Sequence, residues 1–319
     1  MTTSDVASLA VDAAGEDATD PQVRLSVVIP VYNEEDTIGT CLTLLLEQAD
    51  HIAEIVVVDN NSTDRSAEVI QEFIDQWRIV RVINESNQGL VFARNAGMDS
   101  ATGDVIARID ADTRVPPTWA ATIVEFFTAD TAGHWSALCG RGAAYGLPLE
   151  GSTSRVRRLI DPLLRRIPKR GRASDTDGTV APRDIPVLYG SNMVVRREMW
   201  QVIRTRVSMR RDIFEDVDMG LCVQDAHGRN AFLSSLTVGV SPRRMETALP
   251  AFVEYMSFLP RTLLMHRRYG LTAVVVFGYL PPLIVVHAAR LVLIRAHDEQ
   301  TSTFSVRNLL RETSQRGLP

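Results

Sequence analysis

The chain alternates between short β-rich apolar runs and stretches with apolar residues at helical spacing. Arg24 to Val31 is nearly unbroken Val/Ile/Leu and ends in a proline turn, which predicts a strand buried on both faces. Thr37 to Ala49 carries apolar positions three and four apart and predicts a helix. The alternation then repeats: strand Glu54–Asp59, helix Ser66–Trp77, strand Ile79–Ile83, helix Leu90–Ala101, strand Asp104–Asp110. Strands separated by helices of this length predict βαβ units and an α/β fold with a doubly wound, mostly parallel sheet. Ligands of such sheets bind at the carboxyl ends of the strands, so polar residues there are candidates for chemistry.

Four polar groups fall at strand ends. Pro30-Val31-Tyr32-Asn33-Glu34-Glu35 follows the first strand, and Asp59-Asn60-Asn61-Ser62-Thr63-Asp64 follows the second. An acid in that position can accept hydrogen bonds from a nucleobase or ribose. Helix capping accounts for Asp64 but less well for Asp59, which ends the strand several residues before the helix. The third group, Asn87-x-Gly89-x4-Arg94-Asn95-x-Gly97, places an arginine on a helix after a glycine turn. A guanidinium there suits a diphosphate, and a structural arginine is an equal reading. The fourth is Asp110-Ala111-Asp112, two carboxylates able to share a divalent ion, Mn²⁺ or Mg²⁺, with substrate oxygens.

Together these segments resemble the family 2 glycosyltransferases of GT-A fold. VVIPVYNEE, VVVDNNSTD, NQGLVFARNAG and RIDADT occur in the family's order and spacing. Gly190-Ser191-Asn192-Met193 resembles its acceptor-side segment, and Phe214-Glu215-Asp216 resembles its E-D pair. The resemblance covers Arg24 to Pro242. It implies inverting transfer from a nucleotide sugar, UDP- or GDP-linked, to a lipid or saccharide acceptor. It further implies that Asp59 binds the base of the nucleotide, that Asp110 and Asp112 hold the metal, and that Asp216 is the catalytic base, with Glu215 next to be considered. Pro30, Tyr32, Glu34, Asn87, Arg94 and Ala111 join the nucleotide-sugar side, and Gly190, Ser191 and Asn192 the acceptor side. Two departures stand out. Ser241-Pro242-Arg243-Arg244 occupies the stretch where several relatives carry a metal-binding histidine, and His227 is only nearby in sequence. The Q-x-x-R-W signature of processive synthases is absent, so transfer of one or a few sugars is expected.

The remaining sequence divides the chain further. Residues 1–22 are acidic and small, with neither the basic start nor the apolar core of a secretory signal, and are expected to form a disordered tail. Residues 23–242 are expected to form the catalytic domain, with an insertion at 151–183. Within it, Ser154 to Ile167 mixes arginines with leucine and isoleucine, and reads equally as a cationic amphipathic helix or a solvated loop. Residues 243–319 form a C-terminal helical region. Ala248–Tyr269 predicts a helix. Leu271–Ala289 then runs without a charge but contains Pro281-Pro282, so a helix–break–helix hairpin fits as well as a spanning helix. Arg261, Arg267 and Arg268 before that run favour the cytoplasmic face of the cell membrane, and a soluble cytoplasmic packing of these helices is the alternative.

A net charge of −5 offers no basic field for nucleic acid. Cys41, Cys139 and Cys222 show no disulfide or C-x-x-C spacing, which favours a reducing compartment. A nucleotide-binding oxidoreductase is disfavoured because no G-x-G-x-x-G follows the first strand. A sugar nucleotidyltransferase lacks its glycine-rich loop here, and a catalytically silent scaffold would not need both carboxylate pairs.

Overall fold

The computed structural model describes residues 23–145, 181–241, 247–298 and 303–304 of the 319-residue chain. Strand β1 (Leu25–Val31) is buried along its whole length and sits inside the main sheet. It pairs in parallel with β2 (Glu54–Asp59) on one side and β4 (Val105–Arg108) on the other, and β2 pairs in parallel with β3 (Val80–Asn84). The order continues from β4 through β7 (Met193–Arg196), β5 (Ala137–Ala144) and β8 (Asn230–Val240) to β6 (Arg183–Asp184). Strand β7 is antiparallel to both neighbours, which makes the sheet mixed, and β5 and β8 are again parallel.

Strand periodicity divides the core in two. Leu25, Val27 and Ile29 pack with α1 (Ile38–Leu46), Ile70 of α2 (Ser66–Gln76) and α4 (Trp119–Ala129). Val28, Val56, Val58 and Ile106 face the other way, toward α3 (Leu90–Ser100), α5 (Arg197–Ile203) and α6 (Glu215–Asp225). Helices therefore cover both faces, as the doubly wound reading requires. The chain runs outward from β1 to β3 and then returns to β4 beside β1. The crevice beyond the ends of β1 and β4 is thus a topological switch point, where α/β sheets bind ligands. The predicted strands and helices through residue 108 agree with these elements to within a residue or two, except that the first helix ends early and closes in a single tight turn at Ala49–His51.

The C-terminal region departs from expectation twice. The predicted Ala248–Tyr269 helix divides into α7 (Leu249–Met256) and α8 (Phe258–Met265). Pro260 lies in the first turn of α8, where its missing N–H is tolerated, whereas in one continuous helix it would remove an interior bond. At Pro281-Pro282 no break occurs, so of the two readings left open the helix–break–helix one is not what forms. Helix α9 (Tyr269–Val274), a π turn (Val275–Tyr279) and α10 (Leu280–Ala296) follow one another continuously. Widening the turn just before the prolines relieves the clash that each ring would make with a carbonyl four residues back. Residues 1–22, the insertion at 151–180, Arg243, Arg244 and a short helix expected near Val306–Glu312 lie outside the described residues.

Tyr269–Val292 is long and apolar enough to cross a membrane, with a mean hydropathy of 1.9 in its most apolar window, of which only 17% is buried. Its inner side packs Val275 and Leu280 against Val217 and Leu221 of α6, together with Leu263 of α8. Its outer side exposes Val274, Phe277, Val285 and Val286, and Phe277 is 81% exposed.

Candidate functional site

Three strand-end loops are bound into one rim by side-chain hydrogen bonds. After β1, Asn33 takes a left-handed backbone (φ 52°), and its side-chain oxygen accepts from the Thr63 N–H at 2.7 Å. The Glu34 N–H donates to Ser66 Oγ at 2.8 Å, and the Arg65 N–H donates to Glu35 Oε2 at 2.9 Å. Buried Asn60 joins the third loop: its Nδ2 donates to the carbonyls of Glu85 and Asn87, both at 2.8 Å, and its Oδ1 accepts from the Gly89 N–H at 2.8 Å. Asp64 accepts from the Ser66 N–H at 3.0 Å, so the capping reading of that residue suits the geometry.

The candidates on this rim occupy different positions. Tyr32 is 49% exposed beside the crevice, whereas Pro30 is buried within β1. Glu34 accepts from the Thr37 hydroxyl at 2.7 Å. Asp59 accepts from the Ser62 N–H, three residues on, at 3.2 Å, a bond that holds its carboxylate at the end of β2. Asn87 is exposed, and both its N–H and its side-chain amide bond to Glu85 Oε1.

Beyond β4 the chain turns at once, with the Thr113 N–H on the Asp110 carbonyl at 2.9 Å and the Asp110 N–H on Thr113 Oγ1 at 3.2 Å. Ala111 is buried between the two acids. Asp112 lines a small cavity of about 30 Å³ with Asp36, Thr37, Thr40, Arg114 and Tyr145. Asp110 receives Arg94 Nη2 at 2.6 Å. Both carboxylates act on the Cys41 thiol, which burial pushes well above its ordinary value and which Asp112 and Asp110 raise further. Carboxylate and hydroxyl oxygens at the mouth of a crevice are the hard donors that Mg²⁺ and Mn²⁺ favour, so this donor set fits such an ion.

Arg94 is not presented to the crevice as the diphosphate reading expected. Its side chain is 3% exposed, and the guanidinium lies between Asp110 and Glu215. Glu215 also faces Arg108, whose Nη2 is 3.6 Å from Glu215 Oε1. Glu215 is thus held between two buried guanidiniums, a setting unlike that of Asp216. Arg108 itself was missed. The signal was its position: it follows Ile106 by two in DVIARID, so strand alternation aims it into the buried α3–α6 face.

Asp216 is placed differently. It lies in the first turn of α6, where backbone dipoles favour an acid. Its Oδ1 accepts from the Val217 N–H and its Oδ2 from the Gly190 N–H, both at 2.8 Å. Gly190 fits because a Cβ there would lie 3.3 Å from Asp216 Oδ2 and 3.4 Å from Arg108 Nη2. Ser191 is half-buried at the same turn. Asn192, expected to meet the acceptor, is wholly buried: its Oδ1 accepts from Trp119 Nε1 at 3.0 Å and its Nδ2 donates to the Leu236 carbonyl at 2.9 Å. With its amide used inside the protein, Asn192 supports the acceptor-side turn from beneath.

One further cluster lies behind α6. Asp218 accepts from the Ser208 N–H at 2.7 Å and bonds His266 Nε2 at 2.7 Å, while His266 Nδ1 reaches Asp225 at 3.0 Å. The Asp218 bond is the main cause of a His266 pKa above its ordinary value; burial opposes it and Asp225 adds to it. Cys222 shares the cluster within metal-ligand distances, but burial, with Asp218 and Asp225, pushes its thiol up to about 12. The bonds of His266 to Asp218 and Asp225 make the cluster a clasp joining α8 to α6. His227 is exposed with φ 63° just past the end of α6.

The family model for glycosyl transferase family 2 matches residues 26–203, more than half of the chain, and the chain belongs to that family. Among curated relatives, the uncharacterized glycosyltransferase YibD of Escherichia coli is 36% identical over 107 residues, 34% of this chain and 31% of that one. An undecaprenyl-phosphate 4-deoxy-4-formamido-L-arabinose transferase of Edwardsiella ictaluri is 39% identical over 106 residues, 32% of this chain and 33% of its own length. Each match thus spans about a third of the relative. Among solved structures, TarS of S. aureus aligns with a TM-score of 0.50 at 16% identity, covering 89% of this chain and 44% of that one, a likeness of fold.

Proposed function

We propose that the chain is an inverting glycosyltransferase that moves a sugar from a UDP- or GDP-linked donor to a hydroxyl or phosphate of an acceptor, at the cytoplasmic face of the cell membrane. The observation that carries this reading is the placement of acids at the switch-point crevice. Asp110 and Asp112 end β4, Asp216 opens α6, and Arg94 with Glu215 bridges the two ends. Asp59 and Asn87, with Tyr32, surround the place for the nucleotide. A divalent ion at Asp110 and Asp112 would neutralise charge developing on the departing diphosphate. Asp216 accepts the proton of the acceptor hydroxyl as the new bond forms. In-line attack from the side opposite the leaving group inverts the anomeric carbon. Support for a lipid or cell-envelope acceptor comes from the apolar face of Tyr269–Val292 and from the Edwardsiella relative, an undecaprenyl-phosphate 4-deoxy-4-formamido-L-arabinose transferase.

Incubating the full chain with UDP-, GDP- and dTDP-sugars, Mn²⁺ and a bacterial lipid extract tests the reading by nucleotide release. Release that depends on both donor and extract is expected. No release from any donor with any acceptor would overturn it. Fractionation tests the location: the full chain is expected to sediment with membranes and a chain ending at Pro242 to stay soluble. A full chain that remains monodisperse in the high-speed supernatant without detergent contradicts it.

A further inference from the structure

Arg108 is a basic side chain sealed inside the protein at 1% exposure. A guanidinium carries five N–H donors, and buried donors are nearly always bonded, yet among the described residues Nε and Nη2 of Arg108 have no hydrogen-bond partner. Such a group is a poor way to stabilise a fold, because an apolar side chain of similar volume would fill the place without the desolvation cost. Its surroundings indicate another use. Nη2 lies 3.6 Å from Glu215 Oε1 and 3.4 Å from where a Cβ on Gly190 would be.

Glu215 and Asp216 are consecutive acids in one helical turn, and they are held by different partners. Glu215 is drawn inward between Arg94 and Arg108, while Asp216 is held by the N–H groups of Val217 and Gly190. We propose that Arg108 is a positioning residue which, with Arg94, sequesters Glu215 so that Asp216 alone faces the acceptor. Arg94 extends the same device to the donor side, since its other contact is Asp110 at 2.6 Å. Without Arg108, Glu215 is held from one side only and is free to swing toward Asp216. There it competes for the acceptor hydroxyl and displaces the base. This inference rests on the glycosyltransferase reading.

The test uses the full chain with Arg108→Met, Arg108→Lys and the double variant Arg108→Met/Glu215→Gln. Nucleotide release from UDP- and GDP-sugars gives kcat and the acceptor KM, and calorimetry with UDP and GDP plus Mn²⁺ gives donor-side affinity. Arg108→Met is expected to lower kcat by roughly ten- to a hundredfold, the scale of a misplaced catalytic group. Its nucleotide Kd should stay within about threefold of the parent, because the loss is confined to the transition state. Lysine, which keeps the charge, is expected to recover part of kcat. A folded Arg108→Met with kcat within about twofold of the parent overturns the proposal. If that variant does not fold, the double variant, which removes the competing carboxylate, is read instead: kcat near the parental value is expected there, and a loss of about tenfold or more overturns the proposal. Failure of both to fold assigns Arg108 to stability and ends the proposal. A parent chain that releases no nucleotide would instead remove the glycosyltransferase reading itself.

Discussion

The two ends of the crevice are built by different physics. The end proposed for the donor, formed by the loops after β1, β2 and β3, is held by side chains bonded to backbone: Asn33, Asn60, Ser66 and the Glu35 carboxylate each tie one loop to the next. The base end, formed by the Gly190 turn and α6, is held by charges in or near the interior: Arg94, Arg108 and Glu215 on one side of α6, and Asp218 and His266 behind it. Short polar side chains bonded to backbone fix a shape at modest cost. Buried charges fix it only while each partner remains, because losing one leaves the other without compensation. The donor end is therefore expected to tolerate single substitutions in stability and to register them in nucleotide affinity. The base end is expected to respond first in turnover.

The largest separation of the two ends should come from Asp216→Asn. Amide replaces carboxylate at constant shape, so turnover should fall by roughly two to four orders of magnitude while UDP or GDP affinity survives. Near-parental turnover would transfer the role of base to another group. Next in size is Asp112→Asn, which should weaken metal-dependent nucleotide binding at least about tenfold with little change in the unfolding of the free protein.

Stability effects come below these. Glu54 lies at the opposite end of β2 from the crevice. Burial raises its pKa, but the Thr102 N–H, Ser26, the Thr102 hydroxyl and Arg81 outweigh it and bring the carboxyl down to about 2. A depressed carboxyl contributes stability above its unfolded value, and that contribution is lost as pH falls toward its folded one. Glu54→Gln should thus cost about 2 to 3 kcal/mol at neutral pH, with the deficit closing between about pH 4.5 and 2 in urea titrations. A deficit independent of pH over that range would remove the carboxylate from the explanation.

The smallest effect concerns the clasp behind α6. His266 has a raised pKa, so its contribution is present below its unfolded value and is lost as pH rises through the folded one. Limited proteolysis after α8 should therefore quicken from pH 6 toward pH 9 relative to a His266→Gln chain, in which the pH difference should disappear. Equal pH dependence in both would show that the clasp does not depend on the histidine.

Legibility in the sequence followed the same division. β1, β2 and their crossover helices could be read because a strand buried on both faces needs an unbroken apolar run, as in LSVVIP and EIVVVD. Polar residues at those strand ends were visible as interruptions, so Tyr32, Asp59, Asp110 and Asp112 could be named as candidates. What could not be read was where long side chains point. Arg94 and Glu215 share a buried contact although 121 positions separate them, and the two readings of Arg94 were indistinguishable until α6 was placed over α3. Asn192 was misread for the converse reason: its amide is used by Trp119, from a helix on the far side of the sheet. The C-terminal helix concealed its continuity because a π turn, which leaves no composition signal, absorbs Pro281-Pro282.

The claim that one crevice has separable donor and base ends is tested most directly by calorimetry of UDP and GDP with Mn²⁺ on three forms: the parent chain, Asp112→Asn and Asp216→Asn. The account predicts that one of the two nucleotides binds the parent and Asp216→Asn alike, and binds Asp112→Asn at least about tenfold more weakly. Equal binding to all three forms, undiminished by EDTA, would contradict it.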